Sequence, residues 1–351
     1  MHPLEAKRDI ARKFPIARFF PESVLEWALK HKKPFEVSHI TGVQSPAGPE
    51  AEGWFIGCPL TPRQLHNLPF DFVSRRIIES GRIAEELGAK IIGLGAHTSV
   101  VGDGGITVAN NLNIAVTTGN SYTIATAIEG SLKSAELMGI DLTNAKLAVV
   151  GASGSIGRTC ALIMARHINT INLVGRQLEP LNKVAEDIAA ESNAVVKVFT
   201  EVATGIRDAD IVITVTSAID AVIHPSDIKS GAVVCDVARP RDVSVLVSKE
   251  RDDVLVIDGG VVAVPGDVDF HFSFGFPPKT AYACMSETMI LALEGRYESF
   301  TLGKEVSVAQ VDEITALAEK HGFKLAGFRG FEKAITDEHI ANVKANVLRK
   351  R

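Results

Sequence analysis

Ala145–Gly157 reads AKLAVVGASGSIG, and this stretch decides the fold. Leu147 to Val150 are apolar and partly β-branched, which suits a buried strand. Gly151, Gly154 and Gly157 follow directly, and Cys160 to Ala165 read as the opening of a helix. Strand, glycine turn and helix in that order make the start of a dinucleotide-binding βαβ unit. Gly151 permits the tight turn. Gly154 lets backbone N–H groups approach a pyrophosphate, and Gly157 lets helix and strand pack closely. Ser153, Ser155 and Ile156 are counted with these glycines as cofactor contacts, with the phosphates at the positive end of the helix. A glycine-rich connection without a ligand would show the same three glycines, so the motif alone does not separate the two.

Working outward, a second strand is expected at Thr170–Val174, ending in Gly175-Arg176. An NAD site usually places Asp or Glu there for the ribose 2′-hydroxyl, whereas a cation suits a 2′-phosphate. Arg176 therefore points to NADPH, the alternative being an ordinary solvated arginine. A helix is expected at Glu179–Ala190. Further strands are expected at Val195–Phe199, Ile211–Val215, Ala232–Val237 and Val254–Ile257. Thr216-Ser217 and Gly259-Gly260 close two of them. Small residues at strand ends suit ligand approach at the carboxyl edge of the sheet, so all four are candidate cofactor contacts.

Before this core, Phe70–Leu87 is a strong helix candidate and Thr61–Leu68 a shorter one. His39–Val43 and Trp54–Ile56 read as strands around a loop at Gln44–Gly53, and Ala89–Leu94 as a buried strand. Both tryptophans and seven of the sixteen phenylalanines precede residue 73, which gives this part the larger aromatic surface for an apolar ligand. Thr117-Thr118-Gly119-Asn120-Ser121 leads into a helix to Met138. Thr117, Asn120 and Ser121 either face a cleft as substrate contacts or cap that helix.

After Val264, Phe270 to Phe276 alternate with period two. In extended form their four rings lie on one side, and Phe272 and Phe274 would offer an apolar wall to substrate. Pro277-Pro278 ends the run, and a helix is expected at Thr280–Leu293. Cys284 falls in its first turns, where a helix N-terminus favours thiolate over thiol. A thiolate beside an apolar wall and a hydride donor is equipped to reduce an acyl thioester. A buried cysteine behaving as a small hydrophobe is the competing account. Glu287 could orient a neighbour or simply be solvated, and His271 could donate a proton or pack among the aromatics.

Composition sets the frame. A chain of 351 residues holds about two domains. With 46% hydrophobic and 23% charged residues it is ordinary for a globular protein, and its net charge of −5 argues against a general nucleic-acid binder. No run approaches the ~20 apolar residues of a membrane helix. The N-terminus lacks an apolar signal core, and the four cysteines are widely spaced without a Cys-x-x-Cys pair. A cytoplasmic, reduced protein without a metal site is expected. The fold class is α/β: a substrate domain at 1–125, a Rossmann domain at 126–265, a helical return at 266–325 and a tail helix at 326–351.

Six segments together resemble the long-chain acyl-[acyl-carrier-protein] reductases. They are LGAHTSV at 94–100, TTGNSYT at 117–123, VVGASGSIG at 149–157, DGGVV at 258–262, AYACMSETMILALEG at 281–295 and KHGF at 320–323. The resemblance implies an N-terminal substrate domain, a middle NADPH-binding Rossmann domain and a C-terminal helical return. It also implies Cys284 as nucleophile, a Cys284-bound acyl thioester and release of a fatty aldehyde. The implied substrate is an acyl chain on acyl-carrier protein or coenzyme A, and the implied partner an aldehyde-deformylating oxygenase. The chain departs from the family pattern at Ala96-His97, where a glycine and an aromatic are usual. At Val237–Asp242 (VARPRD) it looks more like shikimate dehydrogenases and glutamyl-tRNA reductases.

Two other functions stay open on the sequence. A shikimate- or quinate-type alcohol dehydrogenase needs a Lys–Asp pair in the first domain, for which Lys90 and Asp103 are the available residues. A non-catalytic NADP-binding protein needs only the glycine turn and Arg176.

Overall fold

The computed structural model describes residues 2–3, 10–11, 14–95, 97–100, 102–331 and 333–350. The chain forms two compact units. One comprises Met1–Tyr122, Val262–Glu305 and Asp312–Lys324; the other comprises Thr123–Val261, Val306–Val311 and Leu325–Arg351. The chain passes from the first unit to the second after Tyr122 and returns to the first after Val261. Most of the return at 266–325 belongs to the first unit rather than standing apart, and the tail helix, Asp337–Lys350, belongs to the second.

The second unit is built on a six-stranded sheet in which every pairing is parallel. Counting from Lys146–Val150 as the first strand, the spatial order is 3-2-1-4-5-6, the doubly wound arrangement of dinucleotide-binding domains. The pairing explains why these strands read so clearly in the sequence. A parallel strand in such a sheet is covered on both faces and shows as a continuous apolar run. Leu147, Val149, Ile171 and Ile213 pack on one side; Ala148, Val150, Val174 and Val212 pack on the other. Thr170–Val174 and Val195–Phe199 match expectation to the residue.

The first unit carries a smaller sheet whose centre is the antiparallel pair Phe35–Gln44 and Glu50–Cys58. Both strands are longer than expected. Pairing of Val43 with Ala51 and Gln44 with Glu50 extends the hairpin into half of the stretch read as loop, leaving residues 45–49 as its tip. The helix Phe70–Glu86 packs Val73, Ile77 and Ala84 into the same core as Ile56, Leu65, Ile92 and Val116. Ile91–Gly93 and Ala115–Thr117 form a separate parallel pair.

Two expectations after residue 264 are corrected. Phe270–Phe276 is not extended: no strand spans it, and His271 and Gly275 take φ of +48° and +93°. The helix expected from Thr280 runs Ala283–Leu293, with Thr280–Tyr282 forming a short strand before it. Tyr282, at φ −67° and ψ 148°, is the N-cap, so Cys284 is the second residue of the helix.

Candidate active site

The helix Ala283–Leu293 organises the first unit's site. Cys284 is partly exposed, whereas Cys58, Cys160 and Cys235 are fully buried. Burial pushes the Cys58 thiol up to about 11 and Cys235 to about 12, and raises Cys160 further, so these three behave as small hydrophobes.

Cys284 borders a cavity of about 310 Å³, which it lines together with Trp54 and Phe55 of the hairpin and Met285, Thr288 and Met289 of its own helix. Phe272 and Phe274 stand behind this wall. Phe55 meets Phe272 at 6.4 Å and Phe274 at 5.1 Å between ring centroids, and the stack continues through Phe276 to Tyr282. The rings thus cluster as expected, but around Phe55 and through a bent backbone. His271 is exposed, bonded to the His39 carbonyl at 2.9 Å and facing Asp269; it is not among the residues lining the cavity.

Glu287, one turn after Cys284, is fully buried rather than solvated. Its carboxylate accepts five hydrogen bonds. Oε1 receives the Thr117 hydroxyl, the Gly119 N–H at 3.1 Å and the Thr301 hydroxyl at 3.1 Å. Oε2 receives the Ser121 hydroxyl at 2.6 Å and the Tyr122 N–H at 2.9 Å. The Thr117–Ser121 turn is therefore tied to the cysteine helix, and the hydroxyls of Thr117 and Ser121 serve that tie. Asn120 is buried in the same turn. Gly119 has φ +75°, and a Cβ there would stand 2.4 Å from both Cα and Cβ of Cys284. No larger residue fits without moving the nucleophile.

The far end of this helix is pinned too. His321 is fully buried between the Ser45 hydroxyl at 2.9 Å and Glu294 at 2.8 Å, and Lys320 also reaches Glu294. Those hydrogen bonds hold the Glu294 carboxyl below its ordinary range. The KHGF segment thus anchors the cysteine helix. Of LGAHTSV, Ala96 lies outside the described residues, Leu94 bonds the Thr117 carbonyl through its N–H, and Gly95 borders the cavity. Lys90 sits over the Tyr297 ring, and Asp103 accepts from Thr107, so they do not form the pair a hydroxy-acid dehydrogenase would use.

In the second unit, every candidate cofactor residue lies at or just past the carboxyl end of a parallel strand. Gly151, Ser153, Gly154, Ser155, Ile156 and Gly157 follow the first strand. Arg176 follows the second, Thr216 and Ser217 the fourth, and Gly259 and Gly260 the last. Gly151 takes φ +84°, and a Cβ there would lie 2.5 Å from the Val215 carbonyl. A Cβ on Gly157 would lie 2.3 Å from the Gly151 carbonyl, whereas one on Gly154 would meet only that same oxygen, at 3.3 Å. The outer glycines therefore serve packing, and the middle one keeps the approach to the turn open.

The helix that follows, Ser155–Met164, has no side-chain cap, and the Ser155 hydroxyl is buried without a partner among the described residues. Free N–H groups and an orphan hydroxyl at a helix N-terminus fit a phosphate ligand. Arg176 is exposed, with no acidic residue beside it in the Gly175-Arg176-Gln177 turn. Thr216 gives both its N–H and its hydroxyl to Asp242, a fully buried carboxylate that also receives Thr214. Burial raises Asp236 to about 6, against the opposing pull of Arg239 and the Val243 N–H. Arg241 grips Asp258 through two nitrogens. VARPRD thus braces the strand ends from beneath.

A family model described as shikimate / quinate 5-dehydrogenase matches residues 133–259, all within the second unit. The chain is 28% identical over 321 residues to the aminotransferase PigE of a Serratia species. That match covers 91% of this chain but only 37% of PigE. It is 25% identical over 343 residues to the long-chain acyl-[acyl-carrier-protein] reductase of Synechococcus elongatus, covering 92% of this chain and 95% of that one. Among solved structures, L-tryptophan dehydrogenase from Nostoc punctiforme aligns with a TM-score of 0.39 at 14% identity, over 85% of this chain and 77% of its own. Shikimate 5-dehydrogenase from Listeria monocytogenes aligns over 42% of this chain and 62% of its own, with a TM-score of 0.31 at 14% identity. Among the described residues, no helix is long and apolar enough to cross a membrane, and no group of three or more His, Cys, Asp or Glu is placed to hold a metal ion.

Proposed function

We propose that this protein is an NADPH-dependent reductase of long-chain fatty acyl thioesters, releasing a fatty aldehyde by way of an acyl group carried on Cys284. The observation that carries this reading is a partly exposed cysteine in the first turn of a helix, lining a largely apolar cavity. The likeness to the cyanobacterial reductase over nearly both full lengths supports it.

The residues divide the work as follows. The cavity takes the alkyl chain, since each buried methylene contributes about 0.8 kcal/mol and ten of them about 8 kcal/mol before the cost of association. The N-terminal turn of this helix, whose N-cap makes no side-chain hydrogen bond, favours sulfur in its anionic form through the helix dipole. Cys284 Sγ attacks the thioester carbonyl, the bond to the carrier sulfur breaks, and the carrier leaves as its thiolate. Glu287 and Gly119 keep the sulfur where the turn presents it. In the second unit, the N–H groups after Gly154 and the Ser155 hydroxyl would hold the cofactor's pyrophosphate, and Arg176 its 2′-phosphate. Bound there, NADPH supplies the hydride that the conversion of acyl group to aldehyde requires. The carrier is acyl-carrier protein or coenzyme A, and a deformylating oxygenase would be the consumer of the aldehyde.

The test is intact-protein mass after incubation with palmitoyl-coenzyme A or palmitoyl-acyl-carrier protein without NADPH. The expected result is one added acyl group on Cys284, none on Cys284→Ala, and hexadecanal on adding NADPH to the wild type. A Cys284→Ala protein that still makes aldehyde overturns the reading.

A further inference from the structure

The helix Ala283–Leu293 buries Ala283, Ser286, Glu287, Ile290, Leu291 and Leu293. Its other five residues, Cys284, Met285, Thr288, Met289 and Ala292, are only partly buried, and all five line the cavity. At ~100° per residue they fall within an arc of about 140° that starts at Cys284, and Ala292 stands near its middle, about 12 Å further along the axis. One face of an otherwise buried helix is thus a largely apolar track that begins at the nucleophile. The two methionines on it are long and adaptable, whereas Ala292 carries a single methyl group at the centre of the track. The far end is open. Tyr297 Oη lies 3.5 Å from the Ala292 carbonyl, and Lys90 Nζ lies 5.0 Å from the centre of the Tyr297 ring. Both of these residues line the cavity, and both are exposed. A chain held at Cys284 therefore comes to Ala292 only with the methylenes far from its carbonyl. An octanoyl chain ends short of that level, and a palmitoyl chain passes it toward the opening.

We infer that Ala292 sets the acyl-chain length this protein accepts. Because its side chain is one methyl group, the groove takes chains that run past the second turn of the helix, and a larger side chain there would confine it to short ones. This rests on the thioester-reductase reading and adds to it the residue that governs which thioesters enter. The reacting carbonyl and sulfur are the same for every chain length, so discrimination between chains has to arise along the tail. An apolar site discriminates by how many methylenes it takes out of water, and shutting out a few of them costs about 30-fold in rate or more. Met285 and Met289 can swing aside for a tail, but a ring fixed at the centre of the track cannot.

The experiment mixes wild type, Ala292→Val and Ala292→Phe with octanoyl- or palmitoyl-coenzyme A without NADPH. Cys284 acylation is followed by intact mass and folding is checked by thermal melting. The quantity read is the ratio of the palmitoyl to the octanoyl rate at subsaturating thioester. For Ala292→Phe that ratio is expected to fall about 30-fold or more below wild type, and for Ala292→Val about threefold to tenfold. An unchanged ratio in Ala292→Phe, whether the two rates hold or fall together, overturns the assignment while leaving the thioester reading intact. Should Ala292→Phe melt well below wild type, Ala292→Val decides: the smaller fall supports the assignment and an unchanged ratio overturns it. Absence of any adduct on wild-type Cys284 with either thioester removes both readings together.

Discussion

Glu287→Gln should separate a carboxylate that holds the site together from a glutamate that is merely buried. The substitution keeps volume and replaces one oxygen by an amide NH2. If the NH2 faced Thr117, Gly119 and Thr301, one backbone N–H and two hydroxyls would lose their shared acceptor. Facing Ser121 and Tyr122 is the milder choice: the Ser121 hydroxyl can rotate to accept, and only the Tyr122 N–H is left pointing at another donor. The loss is then one bond to a carboxylate, about 1.5–3 kcal/mol, plus the residual cost of an orphaned buried N–H. About 3 kcal/mol is expected in all, or roughly 6–12 °C in melting temperature for a unit of this size. Urea unfolding read at constant m gives the measurement. Because Gly119 abuts Cys284, the rate of alkylation of that thiol should change alongside. A loss below about 1 kcal/mol with unchanged alkylation would refute the idea that this carboxylate joins the turn to the helix.

Three further outcomes follow from the same geometry. Iodoacetamide on the native protein should modify Cys284 alone, with Cys58, Cys160 and Cys235 reacting only in denaturant; peptide mass mapping that finds a second native site would contradict their burial. Asp236, held at about 6 against an unfolded value near 3.8, binds more protons folded than unfolded between those values. Stability contributed by its neutral form is therefore complete below about pH 4 and lost as pH rises through about 6, by about 3 kcal/mol. Asp236→Asn should remove that slope, and parallel stability curves for the two proteins between pH 4 and 7 would show that burial does not govern this carboxyl. Arg176→Ala should weaken NADPH about 10–100-fold and NADH far less, by fluorescence titration; equal losses would take the 2′-phosphate away from this residue.

The nucleotide unit was legible because its information is local. Strands such as Ile211–Thr214 are buried along their whole length, so they read as nearly continuous apolar runs, and the glycine turn falls where the backbone needs φ of +84° at Gly151. Legibility failed where distant contacts decide. The alternation of Phe270 to Phe276 has the period of a strand, yet it comes from rings gathering around Phe55, more than two hundred residues earlier in the chain. Nothing beside Glu287 in sequence announces its burial, because its five donors come from 117–122 and from Thr301. The segments TTGNSYT and AYACMSETM were separately visible. Only the fold reveals that the glutamate of one is the acceptor for the turn of the other.

That join bears on how the cysteine helix should be understood. Its polar side chains are settled almost without exception. Ser286 bonds back along the helix, Glu287 takes five donors, and Glu294, just past its end, takes Lys320 and His321. A sequence that satisfies local preference, packing and polar pairing together specifies one structure, and a breach of that consistency falls most often at a working site. On this helix the breach is the Thr288 hydroxyl, shielded and without a partner among the described residues, and set against Gly93. Valine there would keep the same shape without the orphaned hydroxyl. The settlement of its neighbours fixes where Cys284 stands, since Gly119, tied to Glu287, abuts that residue and leaves it no room to shift.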